Sequence, residues 1–154
     1  MSIFETMRVS MSGLTAQRLR MDVIASNIAN VDTTRTPDGG PYLRRRVIFR
    51  AVPGAEPAPA TSGFQPVLDA ARASTSAGQG VAVRAIQVDE DAVRRVYDPS
   101  HPEADAEGYV LLPDIDVVTE MTDLLAASRA YEANVTVLNA VKTMASRALT
   151  IGRG

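Results

Sequence analysis

The strongest constraint in this sequence is a repeat of apolar and small residues in its last third. Between Asp116 and Leu149 such residues return at alternating steps of four and three, as Val117, Met121, Leu124, Ser128, Tyr131, Val135 and Leu138. Steps that average about 3.5 residues place these side chains on one face of an α-helix. Neither Pro nor Gly interrupts the run before Gly152, which stands where a glycine often ends a helix. The pattern predicts a long helix with an apolar face, which we call the C-terminal seam.

A second apolar stripe runs beside this seam in its later half. Its members are Asn134, Val137, Val141, Met144, Ala148 and Ile151. The two stripes together are too wide for one partner helix, so we expect contacts with at least two.

The N-terminal segment repeats the same spacing. The positions there are Met7, Met11, Leu14, Arg18, Met21, Ala25 and Ile28, with Ile24 in a flanking stripe. Arg18 is the one misfit in this seam. Ser2 and Glu5 have the capping-box spacing, and we expect a helix from about residue 3 to 30, roughly 42 Å long. Such a seam needs a partner surface. An antiparallel hairpin within one chain and a bundle of several chains both satisfy the spacing, and the two terminal positions favour the bundle.

The middle of the chain predicts short strands. Tyr42–Phe49, Gly80–Asp89, Ala92–Tyr97 and Gly108–Leu112 have strand-like composition, and an Ala- and Pro-rich insert covers about 51–79. In the second segment the apolar parity changes after Ala85, which indicates a bulge or a strand buried on both faces. We therefore expect an α+β fold, with helical segments 1–31 and 114–151 forming a coiled-coil layer. Residues 32–113 would form a connector and a small β-rich domain.

Four segments resemble a known family. Ser12–Asn30 closely resembles the N-terminal signature of bacterial flagellar rod and hook proteins, and Val31–Tyr42 is similar to its extension in proximal rod subunits. Val96–Val110 and Glu120–Asn134 resemble the central motif and the C-terminal helix. The signature positions are Ser26, Asn27, Asn30, Tyr97, Asp98, Pro99, His101 and Pro102.

The resemblance implies a structural subunit of the proximal rod, the axle that crosses the periplasm. Its partners would be other copies of itself, other rod subunits, membrane-ring and adaptor proteins at the rod base, and the flagellar type III export apparatus. It also implies a tube lined by terminal helices, through which torque passes and export proceeds. The N-terminus lacks the apolar core of a secretory signal, so we expect export without a cleaved signal peptide.

The residues give little support to other functions. Arg44, Arg45, Arg46 and Arg50 could contact nucleic acid, but the net charge of −2 favours a solvated strand face or an inter-subunit salt bridge. The chain has no Cys and one His, His101, whose acidic neighbours form a weak metal-ligand set. Asp98 is better explained by a turn that bonds its own backbone. We expect no enzyme activity, cofactor or small-molecule substrate. The alternative is a secreted or soluble helical adaptor or chaperone with an intramolecular coiled coil.

Overall fold

A computed structural model describes residues 3–52 and 80–151. In this part of the chain, one long helix precedes four strands and another follows them. In chain order these are α1 (Ile3–Ala29), β1 (Arg45–Ala51), β2 (Val81–Val88), β3 (Val93–Tyr97), β4 (Tyr109–Pro113) and α2 (Val117–Ile151). This order confirms the α+β class with a small β region between terminal helices. The predicted cap at Ser2, the terminating Gly152 and nearly all of the 51–79 insert lie outside the described residues.

The helices end close to the bounds that the spacing predicts. α1 has 27 residues and α2 has 35, about 40 and 52 Å at the usual rise. Asp116 caps α2, because its Oδ1 accepts the Val118 amide at 3.1 Å and its Oδ2 accepts the Thr119 hydroxyl at 2.5 Å. Asp116 therefore provides a specific cap at the start of α2.

Within the described residues the strands form two separate two-stranded sheets, β1 with β2 and β3 with β4. β3 and β4 are antiparallel, with Tyr97 opposite Tyr109 and Val93 opposite Pro113. The two tyrosine rings meet edge to face at 5.3 Å between centroids. Each predicted end of these two strands lies within one residue of the observed end.

β1 begins three residues later than the sequence predicts. Tyr42 was expected inside the strand, but its amide donates to the carbonyl of Thr33 at 3.1 Å, within the connector. Its ring is buried and its hydroxyl reaches α1. Tyr42 therefore belongs to the connector, and the ladder starts only at Arg45.

β2 contains one more residue than the stretch of β1 that it pairs with. The Asp89 amide donates to the Arg44 carbonyl and the Val52 amide donates to the Gly80 carbonyl, so the strands are antiparallel. Seven residues of β1 and eight of β2 lie between these two bonds, which is the count of a β-bulge. The alternative of a strand buried on both faces is wrong, because Ile86 and Val88 are exposed.

The chain forms two compact units. One contains the described parts of Met1–Ala16, Phe49–Arg84 and Tyr131–Gly154. In this unit the Ser12 hydroxyl accepts the Val81 amide at 3.0 Å. The α-carbon of Gly13 there lies against Asn134, whose amide would be 3.2 Å from an added Cβ. The missing side chain at Gly13 thus permits a close approach to α2.

The other unit contains Gln17–Ile48 and Ala85–Ala130. Here α1 and α2 are antiparallel, since Arg20 pairs with Asp123 at 3.4 Å and Asn27 bonds Glu120 at 3.0 Å. The buried apolar residues of this unit are mainly aliphatic: Val23, Ile24, Tyr42, Ala92, Val110, Ile115 and Ala127.

Candidate assembly interface

A buried polar cluster lies where α1 ends and α2 begins. It consists of Ser26, Asn27, Tyr42, Arg44 and Glu120, and we call it the polar cluster. The Asn27 side chain is 1% exposed, and its Nδ2 donates to the Arg45 carbonyl at 2.9 Å and to Glu120 Oε2 at 3.0 Å. Its Oδ1 accepts the Tyr42 hydroxyl at 3.0 Å and the Arg45 amide at 3.1 Å. Asn27 thereby joins α1, β1, the connector and α2.

Arg44 neutralises the carboxylate of Glu120. Glu120 is 1% exposed, and its Oε1 accepts bonds from Arg44 Nε at 2.7 Å and from Arg44 Nη2. A buried carboxylate is tolerated only when such partners replace water. For Arg44, the predicted solvated face or inter-subunit pair is wrong, because its partner lies in the same chain. Arg46 instead lies at the surface, 3.4 Å from Asp89.

The other signature residues stabilise local turns. Asn30 Nδ2 donates to the Ser26 carbonyl at 2.8 Å and its Oδ1 accepts the Thr33 hydroxyl, so the side chain bonds the backbone at the end of α1. Asp98 Oδ1 accepts the Ser100 amide at 3.0 Å, as the turn interpretation predicts. His101 Nδ1 accepts the Glu103 amide at 3.2 Å. Tyr97, Pro99 and Pro102 border this same β3–β4 connection.

The seam residues of α1 differ in burial. Ile24 is buried, Met7, Leu14, Met21 and Ile28 are half-buried, and Met11 is 57% exposed.

The seam residues of α2 follow a similar division. Those that are half-buried are Val117, Leu124, Tyr131, Val135 and Leu138, whereas Met121 is 59% exposed. The buried positions Glu120, Ala127 and Val141 are separated by seven and fourteen residues, so they form a stripe next to the predicted C-terminal seam. Met121 therefore lies at the border of the face that the chain itself covers.

Two apolar residues near Met121 were not in the predicted seam. Val118 and Leu125 are 72% and 54% exposed, and with Met121 they follow the same helical spacing. A groove lined by Val118, Met121, Thr122, Leu124, Leu125 and Ser128 runs along this part of α2 and encloses about 590 Å³. The spacing of 118, 121 and 125 could have revealed this stripe. Met121 also belongs to the predicted seam, however, and the seam alone accounts for it.

Three surface aspartates have pKa values below the usual range. The Ser100 hydroxyl and amide lower the pKa of Asp98, and the Thr119 hydroxyl and Val118 amide lower the pKa of Asp116. The Tyr109 amide is the main cause of the lowered pKa of Asp105. Each carboxylate accepts bonds that favour its charged form. All three stabilise turns or a helix start.

The described residues contain no group of three or more His, Cys, Asp or Glu side chains that could bind a metal ion. Within the same ranges, neither helix is long and apolar enough to cross a membrane. The features described here concern helix contacts instead. The polar cluster joins elements within the chain, and the exposed apolar side chains of α2 are available to another chain.

Comparison with known proteins identifies the family. A model described as "Flagella basal body rod protein" matches residues 7–35, and one described as "Flagellar basal body rod FlgEFG protein C-terminal" matches residues 106–151. The flagellar basal-body rod protein FlgC of Borreliella burgdorferi is 48% identical, with 100% of both chains covered. FlgC of Bacillus subtilis is 43% identical, with 99% of this chain and 100% of the relative covered. The chain belongs to the FlgC family.

Other FlgC proteins agree, including that of Escherichia coli O6:H1, 39% identical over 99% of this chain and 100% of the relative. The prediction of a structural flagellar rod protein is confirmed, and the FlgC family places the chain in the flagellar basal body. The FlgC relatives are named as rod proteins, which are structural. The matched range 7–35 includes Asn27 of the polar cluster, and 106–151 includes Glu120 and the exposed apolar residues of α2.

Proposed function

We propose that this chain polymerises through its terminal helices to form the proximal rod, and that its exposed apolar residues are the contact surface. The terminal segments 1–31 and 114–151 form the inner, helical layer of a tube, and the β-rich part within 32–113 lies outside it. The tube transmits torque and encloses an export channel. The proposed partners are other copies of the chain, other rod subunits, and membrane-ring and adaptor proteins at the rod base.

The proposal includes a route and a location. The chain passes through the flagellar type III export apparatus without a cleaved signal peptide and assembles in the periplasm-spanning rod. It has no catalytic site, cofactor, nucleic-acid ligand or small-molecule substrate. Family membership supports the basal-body location, and the resemblance and the helical surfaces support the route and the partners.

The observation that carries the proposal is the exposed stripe of Val118, Met121 and Leu125. Large apolar side chains on the same helical face leave a groove uncovered after the chain has folded. Burying the exposed part of these three side chains against a neighbour would contribute about 3–5 kcal/mol, from roughly 1.5–3 kcal/mol for each fully buried side chain. Repeated at every subunit of a tube, such contacts would add to the free energy that offsets the entropy cost of association.

The adaptor alternative requires a coiled coil closed within the chain. Helix pairing is present in the second unit, through the Asn27–Glu120 and Arg20–Asp123 contacts. This pairing covers only one face of α2 and leaves Met121 at 59% exposure. Intramolecular pairing and assembly therefore use different faces, and the family favours the rod.

The test replaces Met121 with Glu in bacteria that lack their own copy. We expect the purified Met121→Glu variant to keep its circular dichroism and its melting temperature, because the side chain is already in water. We expect it to lose swimming, because a carboxylate would then be buried between subunits. The matched control is Ala126→Glu, also exposed on α2 but outside the groove. Swimming by the Met121 variant at the level of this control would contradict the proposal.

A further inference from the structure

The apolar faces of the two helices do not by themselves select one alignment. Apolar or small residues recur on both helices at heptad spacing, so a shift of seven residues again brings like side chains together. α2 has 35 residues and α1 has 27, so α1 can move by one heptad along α2 without losing any helical overlap. The 15 residues between α1 and β1 are enough chain to accommodate this shift of about 10 Å.

The contacts of the buried Asn27 side chain depend on the alignment, as does the more exposed pair of Arg20 with Asp123. A carboxamide has two donors and an oxygen with two acceptor sites, and all four are used here: by the Arg45 carbonyl and amide, Glu120 and Tyr42. The Arg45 amide must donate and its carbonyl must accept, so the orientation of the Asn27 amide is determined. Any other alignment would leave these buried groups without partners, a loss that apolar contacts do not offset.

The receiving groups are themselves fixed. Arg44 bonds Oε1 of Glu120 twice, which leaves Oε2 directed to Asn27. Tyr42 has a further contact, 3.2 Å from the Ser26 hydroxyl. After a shift of one heptad, Asn27 would face Ala127, which has no polar side chain to receive it.

We infer that Asn27 sets the alignment of α1 with α2, and that Glu120, Tyr42 and the Arg45 backbone form the site that receives its side chain. Asn27 is a positioning residue. It excludes the shifted alignment that the apolar faces permit, as a single buried polar residue does in a coiled coil. The inference concerns the chain alone and holds whether or not the proposed assembly is correct.

The experiment measures alignment directly in the full chain. Because the sequence has no cysteine, Asp22→Cys and Thr122→Cys can carry a pair of spin labels on exposed positions of α1 and α2. Double electron–electron resonance at high dilution then gives the distance between them. A one-heptad shift moves one label about 10 Å along the helix axis and adds a second distance. We expect a single distance in the otherwise unchanged chain.

Four variants separate alignment from stability. Asn27→Leu removes every polar contact at similar volume, and we expect the shifted population to rise about tenfold. Asn27→Asp places a second carboxylate beside Glu120 and should act in the same direction. Asn27→Asp with Glu120→Gln restores an amide-to-carboxylate bond between the helices but leaves the Arg45 carbonyl without its donor, and it should reduce the shifted population below that of Asn27→Asp alone. Asn30→Leu is the matched control, because the Asn30 amide bonds only Ser26 and Thr33.

Circular dichroism shows whether each variant is folded. A folded Asn27→Leu chain that keeps the single distance overturns the inference. If that variant loses its helices, the comparison of Asn27→Asp with the double variant decides: an unchanged second distance in the double variant also overturns it. A smaller shifted population in the double variant supports it.

Discussion

The hydroxyl of Ser12 in α1 accepts the backbone amide of Val81 in β2 at 3.0 Å and donates to the Val9 carbonyl at 2.7 Å. The Ser12 side chain thus accepts the hydrogen bond of Val81, the first residue of β2, in place of a backbone carbonyl from a neighbouring strand. Replacing Ser12 with Ala would leave that amide without its acceptor. We expect Ser12→Ala to lower the free energy of unfolding by about 1 kcal/mol, measured by urea denaturation. Thr15→Ala is the control, since the Thr15 hydroxyl bonds only the Met11 carbonyl. Equal losses in both variants would contradict a specific role for the Ser12–Val81 contact.

Glycine is required at position 108 both for its backbone conformation and for the space it leaves to Tyr97. Gly39 shares only the first of these requirements, so a comparison of the two distinguishes their effects. Gly108 has φ +84°, and an added Cβ would lie 2.9 Å from Cε2 of Tyr97. Gly39 has a similar φ of +86° but has nothing within 4 Å. We expect Gly39→Ala to cost about 1 kcal/mol for the left-handed backbone, and Gly108→Ala about 2–3 kcal/mol because the clash is added. Thermal melting of both variants tests this, and similar melting temperatures would show that the Tyr97 ring can move aside.

The two ion pairs of α2 with preceding elements should differ in strength. Removing the carboxylate in Glu120→Ala leaves the Arg44 guanidinium largely buried without its partner and Asn27 without one acceptor. We expect a loss of about 3 kcal/mol in unfolding free energy. Asp123→Ala breaks the partly exposed pair with Arg20, for which solvent screening leaves at most about 1 kcal/mol. Urea denaturation of both variants measures the difference, and a larger loss for Asp123→Ala would reverse our ranking.

Stability should decline in acid partly through the cap of α2. The Thr119 hydroxyl and the Val118 amide lower the pKa of Asp116 in the folded chain. Because the unfolded chain binds this proton first, the contribution is complete above the ordinary pKa of about 3.9 and is lost as the pH falls through the folded value. Asn is an equally good cap without a charge. We expect Asp116→Asn to be near the parent at pH 7 and to lose less stability as the pH falls below about 4. Urea midpoints across this range test it; parallel curves for the two chains would refute it.

The sequence determines the helices and strands because their periods are local properties. Residues three and four apart along α1 and α2 are neighbours on a helix surface, so the bounds could be estimated from spacing alone. The start of β1 could not be estimated in this way. Tyr42 lies in the connector because it bonds Thr33 and α1, and these contacts are not visible in the local spacing. The parity change in β2 did indicate its bulge, since each residue added to a strand exchanges the two sides.

The polar cluster could not be predicted in the same way. Asn27 and Glu120 are 93 positions apart in the sequence. Asn27 resembles a residue that ends a helix, and Glu120 resembles a charge at a helix start. Only the antiparallel arrangement of α1 and α2 brings the two together. The burial of the Glu120 carboxylate could not be predicted from the sequence either, because no residue adjacent to Glu120 identifies Arg44 as its partner.

The bulge in β2 has a consequence for how this gene can change. This strand holds one residue more than the stretch of β1 that it pairs with. Deleting one codon inside β2 would remove the extra residue and leave the two strands equal in length. β3 and β4 pair residue for residue, so the same deletion there would turn half of a strand over. Single deletions should therefore be tolerated in β2 and not in the β3–β4 hairpin.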